Sequence, residues 1–209
     1  MSRYIPAMTR KPDYHHGNLR AELIEAGIAI LDKVGWAGLS LRGCAARAGV
    51  SHAAPAHHFG NLTGLRTALA TVAYNRFVEQ MDRYIADRAN DGRSRLMAAG
   101  LAYIAFAREN PGLFHLMFGT AELDQDDGDL NIARRRAYEQ LGENVAAFLP
   151  PGAGEAEDHR LRIAVWSLVH GYAQLILAKQ IAPQAQAFLS DEAVLEGLSN
   201  LAKGLETDR

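Results

Sequence analysis

Three histidines, His52, His57 and His58, fall within seven residues, and Ser40, Arg42 and Ser51 stand just before them. Such a set can donate and accept hydrogen bonds, move protons near neutral pH or ligate a metal. The spacing argues against a metal. Adjacent histidines on a helix diverge by about 100°, and no H-E-x-x-H motif or cysteine pair accompanies them. The single cysteine, Cys44, shares an apolar stripe with Leu41, Ala45 and Ala48, so it reads as a small core residue and not a nucleophile. No nucleophile–base pair, paired carboxylates or glycine-rich phosphate loop is visible, so no enzyme activity and no cofactor are expected. What remains is hydrogen bonding to phosphates and base edges.

Those residues need elements to hold them. Leu41, Cys44, Ala45 and Ala48 recur at i, i+3, i+4 and i+7, one face of a helix. Ser40 suits its N-cap, and Gly49 its end, because glycine takes left-handed backbone angles without a Cβ clash. Val50 turns inward, and Ser51 is expected to cap a second short helix ending near His58. Ala45 is small where two helices must cross closely. Helix, glycine turn, helix is a DNA-binding arrangement.

Several stretches resemble the tetracycline-repressor (TetR) family of one-component regulators. AGVS at 48–51, with HF following at His58-Phe59, resembles its helix-turn-helix. YHHGNLR at Tyr14–Arg20 is similar to the start of its first helix, and WSLVHG at Trp166–Gly171 to its C-terminal WHG variety. The resemblance implies that His52, Ala53, Pro55 and His57 face bases or nearby phosphates. It also implies that Arg42 reaches a phosphate and that His58 is a backbone contact. Ser40 and Ser51 would offer hydroxyls and helix N-terminal N–H groups to phosphate oxygens. Two positions depart from the family pattern. Ala56 stands where tyrosine is usual and Leu62 where lysine is usual, which removes two phosphate donors. Pro55 is expected to shorten or distort the first turn of its helix. Gly43 in the preceding helix costs about 1 kcal/mol against alanine.

Charge is split along the chain. The net charge is -2, but residues 1–66 hold 8 Lys/Arg against 4 Asp/Glu, and the remainder 14 against 20. A basic head on an acidic body suits contact with phosphate. Met1–Asp13, with Arg3, Arg10 and Lys11, reads as a solvated tail or a DNA-touching arm. There is no secretory pattern and no run near the ~18 apolar residues of a membrane span, so a cytoplasmic protein is expected.

The remaining chain reads as all-α, with about nine helices in total and no strand. Residues 13–66 are expected to form the helix-turn-helix domain, and 67–209 a helical domain for effector binding and dimerisation. The first helix should run from about Asn18 to Val34. Asn61 caps a long helix, roughly Leu62 to Ala89, which joins head to body. Asp91-Gly92, Asn110-Pro111, the acidic loop Glu122–Asp129 and PPGAG at Pro150–Gly154 punctuate the body. The run Arg134–Arg136 reads as a solvated face.

The helix around Arg162–Lys179 is apolar nearly all round. Ile163, Trp166, His170 and Leu177 lie on one side, and Val165, Val169, Tyr172 and Ile176 on another. One side can meet the protomer's own core and the other a second copy. The resemblance likewise implies a homodimer through the last two helices. Trp166 and His170 share a face, which suits either a packed core or a ligand pocket. Phe106, Phe114, His115, Met117 and Phe118 read as core first and pocket second. The expected partners are therefore double-stranded operator DNA, a second copy and a small, mostly apolar effector. The expected function is a repressor released by that effector. The competing reading is a helical ligand carrier or enzyme with a vestigial head.

Overall fold

The computed structural model describes residues 19–88, 90–182, 184 and 190–204, with side chains described up to residue 197. The arm at 1–13, the Tyr14–Asn18 part of the first-helix motif and Ala89, the expected end of the long helix, lie outside the described residues. Among the described residues there are nine α-helices and no strand.

The head is built from three helices. α1 (Leu19–Val34) buries Leu23, Ile24, Ile28 and Leu31 and stops at Gly35, whose φ of 71° is left-handed. A short 3-10 turn, Trp36–Gly38, leads to α2 (Leu41–Ala48). Ser40 caps α2, its Oγ accepting from Gly43 N at 3.1 Å, and Gly49 ends it at φ 70°. Cys44 and Ala45 are wholly buried, which lets α2 approach α1 and α3 closely.

α3 (Ala54–Phe59) has only six residues. It does not start at Ser51 as expected. Ala53 occupies the cap position without a side-chain bond, and Ser51 contributes only its carbonyl, which accepts from Ala54 N at 3.0 Å. Pro55 accounts for this, since its fixed φ starts a helix and it has no N–H to cap.

α4 (Leu62–Arg88) is the 27-residue spine. Asn61 Oδ1 accepts from Gly64 N at 2.9 Å at its start. Leu65 and Leu69 join the head core, and Phe77, Val78 and Met81 the body core. One continuous cluster therefore runs through both parts. Arg76 of α4 also pairs with Glu25 of α1.

The body adds α5 (Gly92–Glu109), α6 (Pro111–Phe118), α7 (Gly128–Phe148), α8 (Glu155–Leu177) and α9 (Asp191–Gly204). Asp91 and Ser94 form a reciprocal capping box that brings Gly92 into α5. α6 begins on Pro111, where a missing N–H costs nothing. Phe106 and Phe114 are fully buried, and truncating either to alanine is worth about 3–5 kcal/mol.

α8 is not buried all round. Val169 and Ala173 are buried, and Tyr172 and Ile176 pack on the protomer's own core. Ile163, Leu168 and Leu175 are 52%, 41% and 48% exposed. Tyr172 also donates to Asp191 of α9 at 3.0 Å, beside the Arg108–Asp191 ion pair.

Candidate functional site

Two sites matter, one at the head end of α4 and one along its middle. At the head end Arg42, Ser51, His52, Ala53, Ala56 and His57 are all exposed and lie around the α2–α3 turn. Ser40 is exposed too, although its oxygen is engaged as the α2 cap. His58 is half-buried beside Phe59. The His57 and His58 rings stand 5.5 Å apart at 84°, so they diverge.

Pro55 differs from the expectation. It is buried and anchors α3 inward, so it cannot present itself to a groove. Leu62 packs on the core, which gives this position an apolar role in place of a phosphate donor. Gly43 is also explained. A methyl group there would lie 2.9 Å from the Ser40 Oγ that caps the helix.

The body holds a partly open cavity of about 290 Å³ between α4, α5, α7 and α8, with Tyr138 and Trp166 of its wall exposed. Tyr74, Phe77 and Met81 line it from α4, and Leu96, Ala99, Gly100 and Tyr103 from α5. α7 gives Arg134, Ala137, Tyr138, Leu141 and Asn144, and α8 gives Val165, Trp166 and Val169. Phe118 of α6 closes the wall.

Of the seven residues expected here, Phe118 and Trp166 line the cavity. Phe106, Phe114 and Met117 are buried behind it as core. His115 points elsewhere, being exposed with its Nδ1 donating to the Pro111 carbonyl oxygen at 2.8 Å. His170 stands in the next layer, stacked on Phe114 and 2.7 Å from the Tyr103 hydroxyl. Burial holds the His170 imidazole below its ordinary value. Burial also pushes the Tyr103 phenol up, against a hydrogen bond from Trp166.

Arg134 is the residue that sequence reasoning misplaced. It is half-buried and lines the cavity, with Nη1 donating to Gln125 Oε1 at 2.8 Å and its guanidinium 5.9 Å from the Tyr74 ring centre. Arg135 and Arg136 are exposed, as a solvated face requires. The signal was available in spacing. Arg134, Ala137, Tyr138 and Leu141 recur at i, i+3, i+4 and i+7, and only the first arginine of the run is in register with them.

Cys44 has no reactive character, because burial pushes its thiol up to about 11. No helix among the described residues is long and apolar enough to cross a membrane.

Several proteins similar to this chain are named as transcription regulators. The family described as "Tetracyclin repressor-like, C-terminal domain" matches residues 96–198. An uncharacterised HTH-type transcriptional regulator of Mycobacterium tuberculosis, Rv0681, is 26% identical over 156 residues, which is 75% of this chain and 69% of that one. A Rhodococcus protein of unknown function superposes with a TM-score of 0.76 at 29% identity, covering 93% of this chain and 98% of its own. A TetR-family transcriptional regulator from Streptomyces coelicolor superposes with a TM-score of 0.57 at 26% identity, covering 89% and 96%. With a helix-turn-helix head in place, the chain belongs to the TetR family of DNA-binding transcriptional regulators.

Proposed function

We propose that the chain is a homodimeric repressor that lets go of operator DNA when a small ligand fills the body cavity. The observation that carries this reading is the course of α4. Its first turns pack in the head through Leu65 and Leu69, and its middle walls the cavity through Tyr74, Phe77 and Met81. A ligand that prefers one setting of this helix changes how the head is presented. It must bind the released form better than the DNA-bound form, and DNA then weakens the ligand to the same degree.

The division into 13–66 and 67–209 then cuts through α4, with two functions sharing one core. His52, Ala53 and His57 would read bases or adjacent phosphates, and Arg42, Ser51 and His58 would contact the backbone. The Ser40 hydroxyl can still donate to a phosphate while it caps α2. Pro55 drops out of that set because it is buried.

Dimerisation would use the exposed stripe of α8, with Ala164, Leu168, Gly171 and Leu175 at i, i+4, i+7 and i+11, together with α9. A closed two-fold pair sets two α3 helices about 34–36 Å apart, one turn of B-DNA. The work is that of a cytoplasmic regulator and not an enzyme. The mostly apolar wall favours an apolar ligand body.

The test is fluorescence anisotropy on palindromes from the DNA upstream of the protein's own coding sequence. Tight, salt-sensitive binding to one palindrome is expected, weakened by a ligand that changes Trp166 emission. Equal binding to palindromic and scrambled DNA would remove the reading. Ligand occupancy that leaves DNA affinity untouched would remove its allosteric half.

A further inference from the structure

We propose that Arg134 sets the specificity of the cavity, and that the ligand it selects is a small amphipathic carboxylate with its head on Arg134 and an apolar tail. This rests on the reading of the cavity as the effector site.

Charge is the first argument. Among the described residues Arg134 is the one charged side chain lining the cavity, and no Asp or Glu lines it. Its partners are both neutral, the Gln125 amide oxygen and the face of Tyr74. Among the described residues no carboxylate lies within ion-pair distance of it, whereas its neighbour Arg136 pairs with Asp82. A guanidinium on an apolar wall with only neutral partners is free to take an anionic one. A carboxylate that displaces the Gln125 amide exchanges a neutral hydrogen bond for a charge-assisted, bidentate one.

Shape is the second argument. The α7 wall runs from Arg134 to Asn144 along one helix face. Ten residues at 1.5 Å each make that wall about 15 Å long. Asn144, at the far end, is wholly buried and already accepts from Arg95 Nε at 2.8 Å. Between the ends stand Ala137 and Leu141, facing Phe77 and Met81 of α4. A cation at one end of an apolar slot fits a head-and-tail molecule. Aromatic walls would also suit a lipophilic cation, but here the guanidinium repels one.

The test uses three probes with one tail, octanoate, 1-octanol and octylammonium, titrated into the full chain. Trp166 emission is read in a Trp36→Phe background, which leaves Trp166 as the single tryptophan, and calorimetry repeats the measurement on the unaltered protein. Octanoate is expected to bind roughly tenfold or more tighter than octanol, as charged hydrogen bonds allow, with octylammonium weakest. Arg134→Gln should abolish the advantage of octanoate and leave octanol within about twofold. Arg134→Lys should keep part of it. If Arg134→Gln does not fold, the ranking of the three probes on the unaltered protein and the lysine variant decide the matter. Octanol binding as well as octanoate, or a preference that survives Arg134→Gln, overturns the proposal while the cavity stands as the effector site. Failure of all three probes to bind at millimolar concentration overturns both.

Discussion

The Tyr103 hydroxyl oxygen lies 2.7 Å from His170 Nδ1, and the Gln174 amide nitrogen 3.3 Å from His170 Nε2. An amide nitrogen only donates, so the consistent assignment has Nε2 accepting and Nδ1 carrying the ring proton to Tyr103. The ring is neutral, stacked on Phe114 and edge-on to Phe118.

A pH dependence follows from that arrangement. Burial lowers the His170 pKa below its ordinary 6.5, so the unfolded chain takes up the proton first. Stability is then fully present above about pH 6.5 and falls as pH drops from there through the lower, folded value. Thermal melts between pH 7.5 and 5 should show this decline, and His170→Gln should flatten part of it. An unchanged slope in that variant would mean that other groups carry the acid sensitivity.

Leu168 and Leu175 face outward on α8, whereas Tyr172 and Ile176 face the protomer's own core. Leu168→Arg or Leu175→Arg should therefore break the dimer and leave a species near 22.8 kDa in sedimentation at micromolar concentration. Tyr172→Arg should instead unfold the body, by burying a charge and breaking the link to Asp191. Retention of the dimer in both leucine variants would move the interface elsewhere.

Arg42 and His57 should separate two kinds of DNA contact. Arg42→Ala is expected to weaken all sequences alike and to reduce the salt slope by about one. His57→Ala should change which bases are preferred, as a lost base contact does. Ala56 is exposed, so Ala56→Tyr should raise affinity by restoring a phosphate donor. Leu62→Lys should cost stability, because Leu62 packs on the core. Binding assays on specific and random duplexes read all four.

Helix spacing and breakers carried much of the fold. Ser40, Gly49, Asn61 and Asp91 mark helix ends by local chemistry alone, and the structure uses each of them. Ser51 misled, because whether a serine caps depends on where the next helix starts, and Pro55 sets that start. The cavity was harder to read. Phe106, Phe114 and Phe118 look alike in a sequence, yet only Phe118 reaches the cavity, since the choice depends on how four helices meet. The α8 faces were periodic in the sequence, but only packing shows which one is covered.

Gly112 stands where α6 meets α1. A methyl group there would sit 2.7 Å from the Leu31 carbonyl carbon, against backbone that cannot step aside. Six residues later the same helix presents Phe118 to the cavity. An eight-residue helix moves as a rigid piece, so a ligand pressing on Phe118 also presses α6 on the end of α1. Gly112→Ala should destabilise the protein by about 1–3 kcal/mol through overpacking. It should also pry α6 from Leu31 and weaken the link between cavity and head. The expected result is a lower melting temperature with ligand affinity nearly kept and ligand-induced DNA release reduced. Melting curves, Trp166 titration and anisotropy on the same preparation separate these effects. A variant as stable as the original, with full release, would show that α4 alone carries the signal.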